Sequence, residues 1–331
     1  MPTVSVVVPC YNEEKTIGLL LDAVYCQDFM RPELEVVIAD GLSSDRTREV
    51  IAEFQAGHPD LAVRIVDNPP RIIPAALNAA IRASQGEYIV RLDAHSVPAT
   101  DYITRCVSAL QDGKGENVGG VWQIQPGGEG WAARSIAAAA AAPLGVGDAL
   151  YRYTSQAGAV DTVPFGAFRR ELVDRVGPFD EALLTNEDYE FNTRIRRSGG
   201  KVWLDPAIHS VYFARPSLPA LARQYFRYGF WKYRMLWRYP GTVRWRQALP
   251  PVFVMSLVFL LILAFFWTPA WFLLACELGL YAVILLLVGA RLALQRQDFG
   301  LAAGVPLAIA VMHFCWGGGF LVSVVKFVLH L

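Results

Sequence analysis

Val4-Ser5-Val6-Val7-Val8-Pro9-Cys10-Tyr11-Asn12-Glu13-Glu14 is an apolar run that breaks abruptly into polar chain. Residues 4–8 read as a short buried parallel strand, and residues 16–25 carry helical spacing. A second strand is expected at 34–39, ending at Asp40, followed by a helix at 46–54 and a strand at 63–66. Residues 74–83 read as a helix that opens on proline, and 88–92 as a strand that ends at Asp93. Strand followed by helix, repeated, predicts α/β architecture: a mostly parallel sheet flanked by helices. Ligands of such sheets bind at the carboxyl ends of the strands. Pro9-Cys10-Tyr11, Asp40 and Asp93-Ala94-His95 all fall there, so three polar loops are expected to converge on one edge.

Pro9, Asn12, Glu13, Glu14 and Lys15 interrupt the opening run too early for a secretory signal. Cys10, Cys26, Cys106, Cys276 and Cys315 are scattered, odd in number and without ligand spacing. Reduced structural thiols are expected.

The formal net charge of zero hides an asymmetry. No acidic residue stands between Asp205 and Glu277, while Arg215, Arg223, Arg227, Lys232, Arg234, Arg238, Arg244 and Arg246 crowd the start of that stretch. Tyr225, Phe226, Tyr228, Phe230, Trp231, Tyr233, Trp237, Tyr239 and Trp245 are interleaved with them. Rings beside cations suit a segment at headgroup depth; in water they would form a bare apolar patch.

Residues 248–266 are almost wholly apolar, 268–290 hold one charge at Glu277, and 301–329 hold only Lys326. Each can span a hydrocarbon core, which needs ~20 residues. Trp267, Thr268 and Pro269 join the first two too tightly for a soluble hairpin. Arg291 and Arg296 follow the second segment on the side of the basic cluster, so the positive-inside rule places the preceding domain in the cytoplasm. Three crossings put the C-terminus outside, although Pro306 and Gly317-Gly318-Gly319 offer a kink or a re-entrant hairpin. The expected organisation is a cytoplasmic domain at 1–214, basic-aromatic interfacial helices at 215–247 and a transmembrane region at 248–331. That is a multi-pass protein of the cell inner (plasma) membrane. Glu277, Lys326 and His313 are too few polar centres for a transport path, and no nucleic-acid partner is expected.

In order, these residues resemble a known family. The segment from Val6 to Glu14 is similar to the opening strand and loop of family 2 glycosyltransferases with the GT-A fold. Asp40-Gly41-Leu42-Ser43-Ser44-Asp45-Arg46-Thr47 resembles their second nucleotide loop, and Asp93-Ala94-His95 stands where they carry an Asp-x-Asp metal motif. Gly177-Pro178-Phe179-Asp180-Glu181, then Asn186-Glu187-Asp188-Tyr189-Glu190-Phe191, resembles their acceptor-side Glu-Asp motif. Val163-Pro164-Phe165-Gly166-Ala167-Phe168-Arg169 resembles their acceptor-side loop. The Asp-Ala-His variant and the trailing apolar segments resemble the succinoglycan-type glucosyltransferase branch, which extends lipid-linked oligosaccharides in exopolysaccharide synthesis.

The resemblance implies a GT-A nucleotide-sugar-binding domain, amphipathic interface helices and about three transmembrane helices. It also implies an inverting, metal-dependent transferase that moves a hexose from a UDP-sugar to a polyprenyl-linked saccharide. A polyprenyl-phosphate sugar synthase, in which phosphate attacks, is the alternative within the class; a non-catalytic sugar-nucleotide-binding membrane protein is the alternative outside it.

The chemistry distributes roles. A leaving diphosphate needs a hard cation, and Asp93 with the donor's phosphate oxygens suits Mg²⁺ or Mn²⁺. His95 either ligates as well, moving preference toward Mn²⁺, or hydrogen-bonds the ribose or diphosphate. Asp40 can accept a uracil imide N–H, with Tyr11 against the base, Pro9 in the same loop and Glu13 toward the ribose; the plain alternative is a turn for Asp40, with a helix cap for Asp45. Asp188 is the expected catalytic base. Glu187 orients the acceptor or Asp188, or complements the helix dipole. Gln224-Tyr225-Phe226-Arg227-Tyr228 resembles the Gln-x-x-Arg-Trp motif of processive synthases, with Tyr228 replacing the Trp and with Gln224 and Arg227 on one helical face toward acceptor or diphosphate. Lys232 and Arg234 read as snorkelling cations, His209 as a solvated loop residue, and residues 131–144 as a small-residue helix without an assigned role.

Overall fold

The opening run forms strand β1 (Val4–Cys10), two residues longer than the apolar stretch. Helix α1 (Ile17–Tyr25), β2 (Leu34–Asp40), α2 (Thr47–Gly57), β3 (Ala62–Asp67), α3 (Ile73–Ala83) and β4 (Tyr88–Arg91) follow in the anticipated order. Next come β5 (Ser96–Pro98), α4 (Tyr102–Gln111), β6 (Asn117–Gln125), α5 (Gly130–Ala140) and α6 (Pro143–Val146). The chain continues through β7 (Gly158–Ala159), β8 (Ala167–Arg169), α7 (Glu171–Val176), α8 (Glu187–Arg197) and β9 (Val202–Phe213). Four long helices end it: α9 (Leu218–Arg238), α10 (Trp245–Ala264), α11 (Pro269–Arg296) and α12 (Leu301–Val328). This computed structural model describes residues 2–240 and 244–329. Residues 241–243 of the expected interfacial segment, the last two of the expected membrane region and the Trp245 side chain lie outside the described residues.

The chain packs as two units. One holds the residues up to Gln123 together with Tyr153–Tyr212; the other holds Ile124–Arg152 and the chain from Phe213 onward.

The first unit is built on one mixed sheet in the order β3-β2-β1-β4-β8-β6-β9-β5, with β7 on β9. β3, β2, β1 and β4 are parallel, and β8 pairs antiparallel with both β4 and β6. All seven residues of β2 are buried, as are Val4, Val6, Val7 and Val8 of β1. Strands covered on both faces read as continuous β-branched runs, and each such side chain contributes about 1.5–3 kcal/mol on burial. Ile17, Leu20 and Leu21 of α1, Ile51 of α2 and Leu77 of α3 cover them. β1 pairs β2 through Cys10↔Asp40 but β4 only as far as Val7↔Arg91. Pro9, which has no N–H, therefore sits where the second ladder has ended. His209, expected in a loop, lies inside β9, where its backbone oxygen accepts from Ala99 N–H at 3.0 Å.

Among the described residues of the second unit, three helices are long and apolar enough to cross a membrane by length and composition. α11 and α12 hold 28 residues each, about 42 Å at 1.5 Å per residue, more than the ~30 Å of hydrocarbon. α12 is one uninterrupted helix through Pro306 and Gly317–Gly319, so the alternative of a re-entrant hairpin is not adopted. Its glycines and those facing it are instead helix contacts. A Cβ at Gly317 would strike the Pro250 carbonyl of α10, one at Gly319 the Phe226 carbonyl of α9, and one at Gly229 of α9 the Trp316 carbonyl. The ring of Pro306 is received by Gly289 of α11, which leaves room for a residue that would otherwise disturb the helix.

The small-residue helix ends at Ala140 rather than Leu144, and it packs on α12, with Ser135 against Gly304. Its small side chains thus serve helix packing. Lys232 does not snorkel: it is 1% exposed, its Nζ 3.5 Å from Met235 Sδ. Polar pins cross the bundle, with Ser256 donating to Glu277 at 2.5 Å and His313 bridging Tyr281 Oη at 3.1 Å and the Leu144 carbonyl at 3.0 Å.

Candidate active site

β1, β2, β3 and β4 end in Cys10, Asp40, Asp67 and Arg91. The loops beyond the first two are stitched together. Asn12 N–H donates to Ser43 Oγ at 2.8 Å, Ser44 N–H to Asn12 Oδ1 at 2.9 Å, and Glu13 N–H to Thr47 Oγ1 at 2.8 Å. Asp45 accepts from Thr47 N–H at 3.0 Å and Glu14 N–H at 3.2 Å; it bonds the first helical N–H from one residue ahead of the cap position, which Arg46 occupies, rather than capping α2 itself. Asn12, Leu42 and Arg71 in these loops, and Phe165 and Asn186 ahead of β8 and α8, have left-handed backbone. Such conformations cost energy and persist only where surrounding contacts fix them.

Gly41 has no room for a Cβ because the Tyr11 ring packs on it. Tyr11 is 43% exposed, and the Arg71 guanidinium lies 5.4 Å from its ring centroid. An open aromatic face beside a cation offers a stacking surface. Asp40 is fully buried and accepts from Ser43 N–H at 3.0 Å, Ser43 Oγ at 2.5 Å and Arg48 Nε at 2.5 Å. Arg48 also reaches Asp67 at 2.5 Å. A carboxylate has about four acceptor positions, so Asp40 retains little capacity beyond its own loop.

Asp93, Glu187 and Asp188 meet at one buried cation. Arg91, 3% exposed at the end of β4, donates through Nε and Nη2 to Asp93 Oδ1 at 3.3 and 3.1 Å. Nη2 also donates to Glu187 Oε1 at 3.1 Å, and Nη1 pairs with Asp188 Oδ1. Burial alone would lower the guanidinium pKa, but Asp93 and Glu187 hold it above its ordinary value. One guanidinium thus serves three carboxyl groups.

The Glu187-Asp188 pair is positioned by its neighbours. Gly177 turns the chain at φ 85° ahead of Pro178 and Phe179, and Arg194 holds the Gly177 and Pro178 carbonyls at 2.9 and 2.8 Å. Arg194 is itself fixed by fully buried Glu190 at 2.5 Å. Phe179 exchanges two 2.9 Å bonds with Asn78 of α3 and stacks on Phe191 of α8 with centroids 4.5 Å apart. Glu187 and Asp188 therefore open a helix that Glu190, Phe191 and Arg194 fasten to the Gly177–Phe179 segment.

His95 Nδ1 lies 3.1 Å from Glu13 Oε1. Although burial opposes its charge, hydrogen bonds from His95 and Thr16 hold Glu13 below the ordinary carboxylate range. Among the described residues no three His, Cys, Asp or Glu side chains form a resident metal cage. Asp93 alone would hold a hard cation only in part, with the remaining positions left to oxygens of a bound ligand.

The structure thus brings together Asp93, Glu187 and Asp188, pairs His95 with Glu13, and places Pro9, Tyr11 and Asp40 on the same edge. Gln224 and Arg227 belong to the second unit, where Gln224 Nε2 donates to Tyr228 Oη at 2.9 Å and Arg227 is exposed. Sequence reasoning missed Arg91, Arg48 and Arg71. For Arg91 a signal existed: a charge inside an otherwise apolar central strand is seldom buried without partners.

Comparison with known proteins fits this geometry. The profile described as Glycosyl transferase family 2 matches residues 5–177. The chain is 31% identical over 324 residues to the succinoglycan biosynthesis protein ExoA of Rhizobium meliloti (strain 1021), spanning 95% of this chain and 93% of that protein. It is 25% identical over 332 residues to a Methanococcus voltae dolichyl N-acetyl-alpha-D-glucosaminyl phosphate 3-beta-D-2,3-diacetamido-2,3-dideoxy-beta-D-glucuronosyltransferase, spanning 98% of each. Among solved structures, mannosyltransferase PcManGT from Pyrobaculum calidifontis, in complex with GDP-Man and Mn²⁺, aligns with a TM-score of 0.60 and 26% identity over 94% of this chain and 87% of that one.

Proposed function

Because this chain belongs to glycosyltransferase family 2, we propose that it is an inverting enzyme that moves a hexose from a UDP-sugar to a polyprenyl-linked saccharide. The observation that carries this reading is the Arg91 cluster, which joins donor-side Asp93 to the Glu187-Asp188 pair. Asp188 accepts the proton of an acceptor hydroxyl as that oxygen attacks the anomeric carbon, and the bond to the diphosphate breaks with its electron pair leaving on phosphate. Attack opposite the leaving group inverts the anomeric centre. Glu187 holds Arg91 and keeps the base turned inward. A divalent cation, Mg²⁺ or Mn²⁺, held by Asp93 and the donor's phosphates would neutralise the leaving diphosphate. Tyr11 and Arg71 supply the base platform, while Asp40 organises Ser43 and Arg48 beneath it.

The acceptor assignment is supported by the Methanococcus relative, named for a dolichyl-phosphate-linked sugar acceptor, and by the three apolar helices. Arg291 and Arg296 at the end of α11, with the cations ahead of α10, support a multi-pass plasma-membrane protein with the sheet unit in the cytoplasm. The GDP-Man in the related archaeal structure makes a guanosine donor the competing outcome.

The test is nucleotide release by detergent-purified protein from a panel of UDP- and GDP-sugars, with and without a polyprenyl-diphosphate-linked oligosaccharide, repeated in EDTA. Acceptor-stimulated release from UDP-sugars, lost in EDTA and restored by Mg²⁺ or Mn²⁺, is expected. Release from GDP-sugars alone would overturn the donor assignment, and full activity in EDTA would overturn the metal.

A further inference from the structure

We infer that Arg91 is a positioning residue for transfer: it fixes the reactive carboxylate of Asp188 through a guanidinium that Asp93 and Glu187 also hold. The inference rests on the proposed role of Asp188 and adds a residue to it.

The clamp begins in a rigid strand. Arg91 is the last residue of β4, paired with Val7 on one side, while its N–H donates to the Gly166 carbonyl at 3.1 Å on the other. The guanidinium therefore projects from a backbone fixed on both flanks. Successive helical residues diverge by about 100°, so Glu187 and Asp188 would splay apart in the first turn of α8. Arg91 gathers both, Nη2 taking Glu187 and Nη1 taking Asp188, while Nε and Nη2 take Asp93. One oxygen of Asp188 is held, which directs the other toward an acceptor. Only a planar fork with several donors can serve three partners at once; an ammonium keeps the charge but not the geometry.

A charge-balancing role alone predicts something different. In that case lysine would substitute, because it preserves the cation among the three carboxylates. In the positioning role lysine fails, because misplacing a catalytic group by about 1 Å costs ~100-fold in rate.

The experiment compares Arg91→Lys, Asp188→Asn and the double variant in full-length protein. The readouts are kcat, donor and acceptor KM, thermal unfolding, and calorimetric affinity for UDP and GDP with Mn²⁺. Arg91→Lys should stay folded, keep nucleotide affinity, and lose about 100-fold in kcat. The double variant should be no slower than Asp188→Asn, because two residues acting as one unit are not additive. Wild-type kcat in Arg91→Lys would overturn the inference and leave the base assignment standing. So would loss of nucleotide affinity in step with kcat, or multiplicative losses in the double variant. Full turnover in Asp188→Asn would remove the base assignment itself, and the inference with it.

Discussion

At the sheet edge Arg91, Glu187, Glu190 and Asp40 are buried with their charges paired, whereas in the helical unit the close approaches are made by Gly229, Gly289, Gly304, Gly317 and Gly319. The first region is specified by polar groups that must each find a partner, since an unpaired buried charge is severely unfavourable. The second is specified by absent side chains, since helices surrounded by lipid gain from close packing rather than from hiding apolar surface. Damage to the first should therefore appear in turnover, and damage to the second in stability.

Asp93→Asn breaks the first region most severely. It removes the carboxylate that would face the cation and one anchor of Arg91, so transfer should fall by about 10³-fold while the domain stays folded. Turnover within tenfold of wild type would refute the role of Asp93.

Gly319→Leu should do the opposite. Its side chain would press on the Phe226 carbonyl, and overpacking typically costs about 1–3 kcal/mol. A lower unfolding temperature in detergent is expected, with nucleotide affinity unchanged. Gly318→Ala, where a Cβ meets nothing within 4 Å, is the matched control and should unfold like the parent. Equal effects at the two glycines would show that packing is not what Gly319 serves.

A smaller effect separates charge from packing by pH. Hydrogen bonds from His95 and Thr16 hold Glu13 below its ordinary pKa in the folded state, so the unfolded chain takes up its proton first as pH falls. The stabilisation is complete above the ordinary glutamate value of about 4.3 and is lost as pH drops through the lower folded value. The fall in unfolding temperature across that window should be shallower in Glu13→Gln. Identical slopes would remove Glu13 from the network.

Much of the sheet edge was legible because strand runs and the polar breaks after them are local signals. Residues 4–8, 34–39 and 63–66 differ from β1, β2 and β3 by no more than two residues at either end; Asp93 stood out by its place after a strand, whereas Asp188 was reached only through the resemblance of its Glu-Asp segment to the family's motif. β8 was not legible. Three residues, Ala167–Arg169, carry no periodicity, and their place between β4 and β6 is a long-range pairing. Arg48 and Arg71 were missed for the same reason, since their meaning depends on Asp40 and Tyr11 from other loops. The glycines of α12 left a break open as an alternative because composition does not distinguish a flexible joint from a contact. Lys232 was misread because snorkelling assumes a lipid-facing side, and its helix turns that residue inward.

Asp188→Asn tests the central claim most directly, through the ratio of turnover to donor affinity in full-length protein. A base that acts only in the transition state predicts nucleotide affinity close to wild type and a kcat lower by about 10²–10⁴-fold. Unchanged kcat, or weakened nucleotide binding with little change in kcat, would contradict the account.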